Sequence, residues 1–522
     1  MSHVFVVHAD LMRITCDAWL VPGGQGPGST WRAALPPRSQ RRPLPDDYGR
    51  DDGPRAALYA DVDDEAPLPF LTDITGGNRH PPQWYVEGAR DFVVRASSTL
   101  RAMGRAPLHR RERHLLALPL VGTAGGGAAY FSGEITALLL AMLEDEAEAC
   151  GVDVVLVLNE GAAWAAAQKA RSTSKKAWAS LPAPLLAKAD ALAARAREGE
   201  LTVFAGAGLS MPAGLPSWKE LLRAIALEVL PAEQRAAFDD LAVLDAAALL
   251  QQRLPPDVSV NAATAWLLLA RAKRYGLGHA LLANLPVSEV VTTNYDPLFE
   301  MASDDCGQPC ARIPGRPVAR GERFILKMHG CVTHPASIVL TREDYLRFQE
   351  NRSALAGIVQ ALLLTRHMLF VGFGFTDDNF HRIAHAVRAA LRGDDVDVDA
   401  KEGGRFGTNL VLGGTLLREL WEHDLDWVSM APHAADTAAQ ARLIDIFLDR
   451  VSASAANVTA HLGDDRYLGV LTDGERALRA RLEALLKDVS VDEQRTLAFQ
   501  EVKALMLRLG LAAGGAPQRP RR

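Results

Sequence analysis

The run LTVFAGAGLS, from Leu201 to Ser210, leaves this chain few folds to choose from. Its first residues make a strand apolar enough to be buried on both faces. The Gly-Ala-Gly that follows ends the strand in a tight turn of small residues. Further strand-like runs come at Val290 to Thr293, Phe324 to Met328, Met368 to Gly372, Asn409 to Gly413 and Trp427 to Met430. Between them lie helical patterns such as Trp218 to Leu230, where Leu222, Ile225, Ala226 and Val229 share one face. Strands alternating with helices predict an α/β fold built on a doubly wound, Rossmann-like parallel sheet.

Open sheets of this kind bind ligands beyond the carboxyl ends of their strands. There Gly206, Ala207, Gly208 and Ser210 form a turn whose backbone N–H groups can approach a pyrophosphate, and the following helix is expected to add its positive end. Tight steric packing explains such a turn equally well when it stands alone. However, Asn294 and Asp296 directly follow a second strand and His329 a third, so a phosphate turn, an amide, a carboxylate and an imidazole share one edge. This is the layout of a nicotinamide dinucleotide site.

Six ordered blocks carry a resemblance: Gly206 to Ser210, Gly214 to Trp218, Thr292 to Asp296 (TTNYD), Lys327 to Gly330 (KMHG), Val339 to Tyr345 and Gly372 to Asn379 (GFGFTDDN). Over roughly residues 190–450 the chain resembles the sirtuin catalytic domain, in its bacterial branch associated with phage defence. The resemblance implies NAD as substrate, held by Gly206, Ala207, Gly208, Ser210, Ser217, Trp218, Thr293, Gly372, Phe373 and Gly374. It implies catalytic roles for Asn294, His329 and Asp296. An imidazole titrating near neutrality suits a general base, Asn294 would position water or ribose, and Asp296 would bind ribose hydroxyls or offset developing positive charge.

Deacylating sirtuins carry a zinc module of two cysteine pairs after the catalytic histidine. Here only Cys331 follows His329, while Cys306 and Cys310 precede it, so that four-cysteine site cannot be built and no metal is expected. Water is then the expected acceptor, which makes the chain an NAD+ glycohydrolase that depletes NAD in abortive, anti-phage defence. Two alternatives stand beside this: an NAD-dependent protein deacylase, and a non-catalytic nucleotide-sensing protein.

Residues 1–170 read as a second α/β unit, with strands at Val4 to Val7, Ala18 to Val21, Leu115 to Leu120 and Val152 to Leu158, a helix at Ile135 to Ala149, and a long surface loop from Gly23 to Arg55. Val4 to Pro22 and Leu118 to Gly127 resemble a macrodomain. That resemblance implies a nucleotide or ADP-ribose-derived signal held by Asp10, Gly122, Thr123, Gly125, Gly126 and Gly127. Ala9 stands where that family has glycine, and Pro22, Gly23 and Gly24 replace its Asn-rich segment, which speaks for binding rather than hydrolysis. Residues 171–189 read as a linker and 451–522 as a helical extension and tail.

The remaining expectations come from composition. Five scattered cysteines and a start without a basic n-region suit a cytoplasmic protein, and no apolar run is long enough for a membrane span. A net charge of −6 argues against a nucleic-acid surface spread over the chain. A gated effector is further expected to form a homo-oligomer and to act with a defence partner encoded beside it.

Overall fold

A computed structural model describes residues 1–24, 26–50, 52–75, 80–124, 126–172, 174, 176–392, 405–430 and 436–511. Gly125 and the tail after residue 511 lie outside the described residues.

The first unit is a six-stranded sheet built from β1 (Val4–His8), β2 (Ala18–Gly23), β3 (Ala56–Leu58), β4 (Leu68–Asp73), β5 (Leu115–Pro119) and β6 (Asp153–Leu158). Its order is β1-β6-β5-β2-β4-β3, and only β3 runs antiparallel to its neighbour. The strands are almost entirely buried, as runs such as DVVLVL require of a sheet covered on both faces. Helices Pro82–Ala102 and Ser132–Cys150 cover one face, the second closed by Gly151 in the left-handed region (φ 66°). The stretch from Gly23 to Arg55 holds two 3-10 turns, Ser29–Ala34 and Arg38–Gln40, with Leu35 and Tyr48 packed into the core.

The second unit is the doubly wound sheet. Its strands are β7 (Leu201–Ala205), β8 (Glu289–Thr292), β9 (Cys310–Ile313), β10 (Arg323–Lys327), β11 (His367–Val371), β12 (Gly407–Val411) and β13 (Leu425–Ser429). They run parallel throughout in the order β13-β12-β11-β7-β8-β10-β9. From β7 the chain winds outward to β8 and β10, then returns to place β11 on the other side. The direction therefore reverses at β7, and the loops after β7, β8, β10 and β11 open onto one crevice.

The two units share a core. The face of the first sheet bearing Phe5, Val7, Trp19 and Val155 packs in one cluster with Leu192, Val203, Leu281 and Phe447 of the second. Asn284 extends this contact by accepting the His8 N–H at 2.9 Å and donating to the His8 carbonyl at 2.8 Å, as a neighbouring strand would. The stretch expected to be a linker is buried in part: Arg171 and Trp178 close over Asp449, whose carboxylate also pairs with His3 at 2.8 Å. Asp449 belongs to helix Thr437–Ala455, which runs through residue 450 without a break and packs on helix Ala183–Arg197, with Arg450 bonded to Asp190. Beyond it, helices Asp473–Asp488 and Leu497–Arg508 form a helical end that leans on the first unit through Arg466 with Glu160 and Lys169 with Glu475. No helix among the described residues is long and apolar enough to cross a membrane.

Candidate functional site

Three glycines set the floor of the crevice. The Gly206 N–H donates to the Val371 carbonyl and the Gly208 N–H to the Gly372 carbonyl, both at 2.9 Å, so the loops after β7 and β11 pass back to back. A Cβ on Gly206 would lie 2.4 Å from the Gly372 oxygen, and one on Gly372, itself at φ 67°, would lie 2.4 Å from the Leu209 nitrogen. The expected helix end is not at this turn. Two short 3-10 turns, Ala207–Leu209 and Met211–Ala213, follow it, because Pro212, Gly214 (φ 88°) and Pro216 break the chain before helix Trp218–Val229 can start.

Asn294 stands over this floor at the end of β8. Its Nδ2 donates to the Gly206 carbonyl at 3.0 Å and to Ser210 Oγ at 3.1 Å. The opposite amide orientation would set two acceptors face to face, so Oδ1 is fixed outward, and it is buried with no partner. Ser210 is fully engaged: it donates to Asp296 at 2.9 Å, accepts from Asn294, and lies 3.3 Å from His279 Nε2. Burial, opposed by Asp296, pushes His279 down to about 4, so the neutral ring donates to Ser210. Asp296 spends its other oxygen on the Leu298 N–H at 3.1 Å, while Lys327, buried and paired with Glu300 at 2.8 Å, donates to the Asp296 carbonyl. Thus Asp296 and Ser210 orient Asn294, and the Asn294 carbonyl is the group left to accept a hydroxyl or a water.

His329 follows β10 and is fully buried among aromatic rings: Tyr345 at 5.3 Å, Phe348 at 5.9 Å and Trp218 at 6.4 Å. Burial lowers its pKa, Asp377 raises it and Arg352 lowers it, so the ring is neutral and able to accept a proton. Gly330 must be glycine: at φ 89° its Cβ would sit 2.0 Å from the Ser337 oxygen. Asp377 and Tyr345, next to His329, are further site residues that reasoning from residue types passed over, although both fall inside the blocks Gly372 to Asn379 and Val339 to Tyr345.

The other expected contacts divide. Trp218 is half-buried and stacked on Tyr295 at 5.8 Å, a wall of the crevice. Ser217 caps its helix in a reciprocal box with Glu220. Thr293 and Gly372 are half-buried and Gly374 exposed at the same edge, while Phe373 joins the ring cluster of Phe204, Phe370, Phe375 and Phe380. Among the described residues no group of three or more His, Cys, Asp or Glu side chains is placed to hold a metal ion.

In the first unit the glycine loop curls on Tyr85. A Cβ on Gly122 (φ 82°) would lie 2.4 Å from that ring, the Tyr85 hydroxyl donates to the Gly126 carbonyl at 3.1 Å, Gly127 is also left-handed (φ 77°), and Thr123 donates to the Leu120 carbonyl at 3.1 Å. Asp10 lies at the contact between the units. Its carboxylate accepts the Met12 N–H at 2.8 Å and its own N–H donates to the Tyr275 hydroxyl at 3.0 Å. A second contact between the units bears on the segment around Trp218. His109 and Arg110, both left-handed (φ 56° and 61°), press the His109 ring on Gly214, in the loop before Trp218, and bond Arg110 at 2.7 Å to Glu220, in the first turn of helix Trp218–Val229.

Fold and site agree with the family comparison: the profile of the SIR2-like domain matches residues 288–397, a stretch that spans Asn294, His329 and Asp377. Among individual proteins, the chain is 32% identical over 206 residues to the NAD(+) hydrolase ThsA of Bacillus cereus (strain MSX-D12), covering 38% of this chain and 42% of that one. It is 29% identical over 206 residues to the NAD(+) hydrolase ThsA of Acinetobacter baumannii (strain 532279), covering 38% and 41%. Defense-associated sirtuin 2 of Bacillus subtilis is 23% identical over 198 residues, covering 37% and 20%. The chain thus spans about two fifths of the length of the first two relatives it matches.

Proposed function

We propose that this chain is an NAD+ glycohydrolase that depletes NAD in bacterial defence against phage. The observation that carries the reading is the pair of buried, partnerless acceptors on one sheet edge, Asn294 Oδ1 and the neutral ring of His329, beside the glycine floor. The relatives named as NAD(+) hydrolases support it. The Gly206 and Gly208 N–H groups are spent on the Val371 and Gly372 carbonyls, so the small residues of that turn would let the pyrophosphate lie close rather than donate to it from those two positions, with Trp218 closing the nicotinamide end. The bond between nicotinamide nitrogen and ribose C1′ breaks, and its electron pair leaves with neutral nicotinamide. Water oxygen bonds to C1′, and the water proton passes to His329 and then to solvent. NAD+ and water so give ADP-ribose, nicotinamide and one proton.

The same proposal extends to control. His109 and Arg110 bear on the loop before Trp218, so a nucleotide or ADP-ribose-derived signal in the first unit, or assembly into a homo-oligomer with or without a separate defence partner, could act on the site through that contact. A cytoplasmic location follows from the substrate.

The test incubates the purified full chain with NAD, with and without ADP-ribose compounds and an acetylated peptide. The proposal expects equal amounts of nicotinamide and ADP-ribose without peptide. Strict peptide dependence would make the chain a deacylase, and no turnover under any trigger would leave the nucleotide-sensing reading.

A further inference from the structure

A neutral imidazole carries one N–H, and which nitrogen bears it decides which one can act as a base. In His329 neither ring nitrogen makes a hydrogen bond, and the two differ in what they face: Nε2 lies 3.4 Å from Asp377 Oδ2, within ion-pair reach, whereas Nδ1 has no carboxylate beside it. Asp377 itself cannot turn away. Its Oδ1 accepts the Phe380 N–H at 2.8 Å at the start of helix Asp378–Arg392, and its Oδ2 accepts the Tyr345 hydroxyl at 2.8 Å. Two residues earlier Phe375 adopts a left-handed backbone (φ 53°) that a bulky side chain rarely takes. It is held there by Phe370 at 5.0 Å, Trp421 at 5.0 Å and Trp427 at 5.6 Å, and by the His381 ring donating to its carbonyl at 2.8 Å. A strained turn pinned by packing, a helix cap and a phenol together fix one carboxylate oxygen against one ring nitrogen.

We propose that Asp377 and Tyr345 are positioning residues for His329: the carboxylate accepts the Nε2–H, Tyr345 holds the carboxylate, and the Nδ1 lone pair is left to take the proton. The assignment rests on the hydrolase reading for its use in catalysis, though not for the tautomer. A carboxylate only accepts hydrogen bonds, so at 3.4 Å from it the nitrogen assigned the proton is Nε2. The remaining polar neighbours do not compete. Arg352 spends its guanidinium on the Met328 and Ser337 carbonyls, Tyr295 donates to the Val339 carbonyl, and burial keeps the Tyr345 hydroxyl protonated as a donor.

Asp377→Asn separates this role from a structural one, because asparagine still caps a helix but turns a donor toward the ring. Nitrogen NMR of 15N-histidine-labelled full-length protein, with the His329 signal identified by its loss in His329→Gln, reads the tautomer without substrate. Nε2–H is expected in the wild type and Nδ1–H in Asp377→Asn. Nicotinamide release by Asp377→Asn is expected to fall by roughly 10²–10⁴-fold. Its acid limb should move to lower pH, since the charge that raised the His329 pKa is gone. Tyr345→Phe should move the limb the other way by less, because the carboxylate loses a donor that partly offsets its charge. Nδ1–H in the wild type, or an unmoved tautomer and limb in Asp377→Asn, would overturn the assignment. If the wild type shows Nε2–H but cleaves no NAD, the hydrolase reading fails and the positioning contact stands.

Discussion

At the scale of single residues the site is a matter of which polar atoms are already spent. Ser210 and Asp296 are consumed in holding Asn294, while the Asn294 carbonyl and the His329 ring nitrogens are buried without a hydrogen bond. Gly206 is the most exposed to test, since its missing Cβ makes room for the Gly372 carbonyl and Phe373 Cα, which are backbone and cannot swing away. Gly206→Ala is expected to destabilise the protein by about 1–3 kcal/mol, as overpacking does, and to abolish NAD cleavage. A denaturation midpoint and rate equal to wild type would show that the two loops are not locked. Asn294, Asp296 and His329 were legible as residues of one edge because each directly follows an apolar run. Their division of labour was not, because it depends on Ser210 and His279 arriving from other parts of the chain. Asp377 went unread for a related reason: its meaning comes from Tyr345, thirty-two positions away.

At the scale of elements, the strands of the second sheet announce themselves because they are buried on both faces and so read as unbroken apolar runs. The elements left unread have local reasons. β4 carries Pro69, which normally argues against a strand, and β3 and β9 are short edge strands of three and four residues. Helix Trp218–Val229 was visible from its periodicity, but its link to the site lies in its cap. Ser217 and Glu220 fix the first turn that presents Trp218, and Glu220, pushed down to about 2 first by Arg110 and then by Ser217, joins that cap to the first unit. Ser217→Ala is expected to cost about 0.5–2 kcal/mol and to raise KM for NAD more than it lowers kcat, because Trp218 is loosened while His329 is untouched. Steady-state kinetics decide this, and a fall in kcat alone would contradict it.

At the scale of the whole molecule, two readings from the sequence become one body: the first sheet and the second share a core, and the stretch expected as a linker carries part of the cluster that joins them. A reader of the sequence has no way to see that Asp449 meets Arg171 and His3, residues hundreds of positions apart. Burial opposes the Asp449 charge, but Arg171 and His3 outweigh it and hold the group down to about 2. Its folded pKa therefore lies below the unfolded one, and the stability it contributes is present above pH about 4 and lost as pH falls toward 2. His279 and His461, both buried, and half-buried His367, each pushed down to about 4 by desolvation, act in an earlier window: the unfolded chain takes up protons below pH about 6.5 that the folded one refuses until about 4. Denaturant midpoints against pH should fall through both windows, and Asp449→Asn, which leaves Arg171 buried and unpaired, should cost about 3–5 kcal/mol at neutral pH and flatten only the lower one. An unchanged lower limb would show that the cluster does not join the units. The central claim, that water cleaves NAD at the edge shared by Asn294 and His329, is tested most directly by measuring nicotinamide and ADP-ribose released by the purified full chain, its Asn294→Ala variant and its His329→Ala variant. The account predicts equimolar products from the wild type and a loss of at least roughly 10²-fold in each variant with folding intact; hydrolysis that survives both substitutions would contradict it.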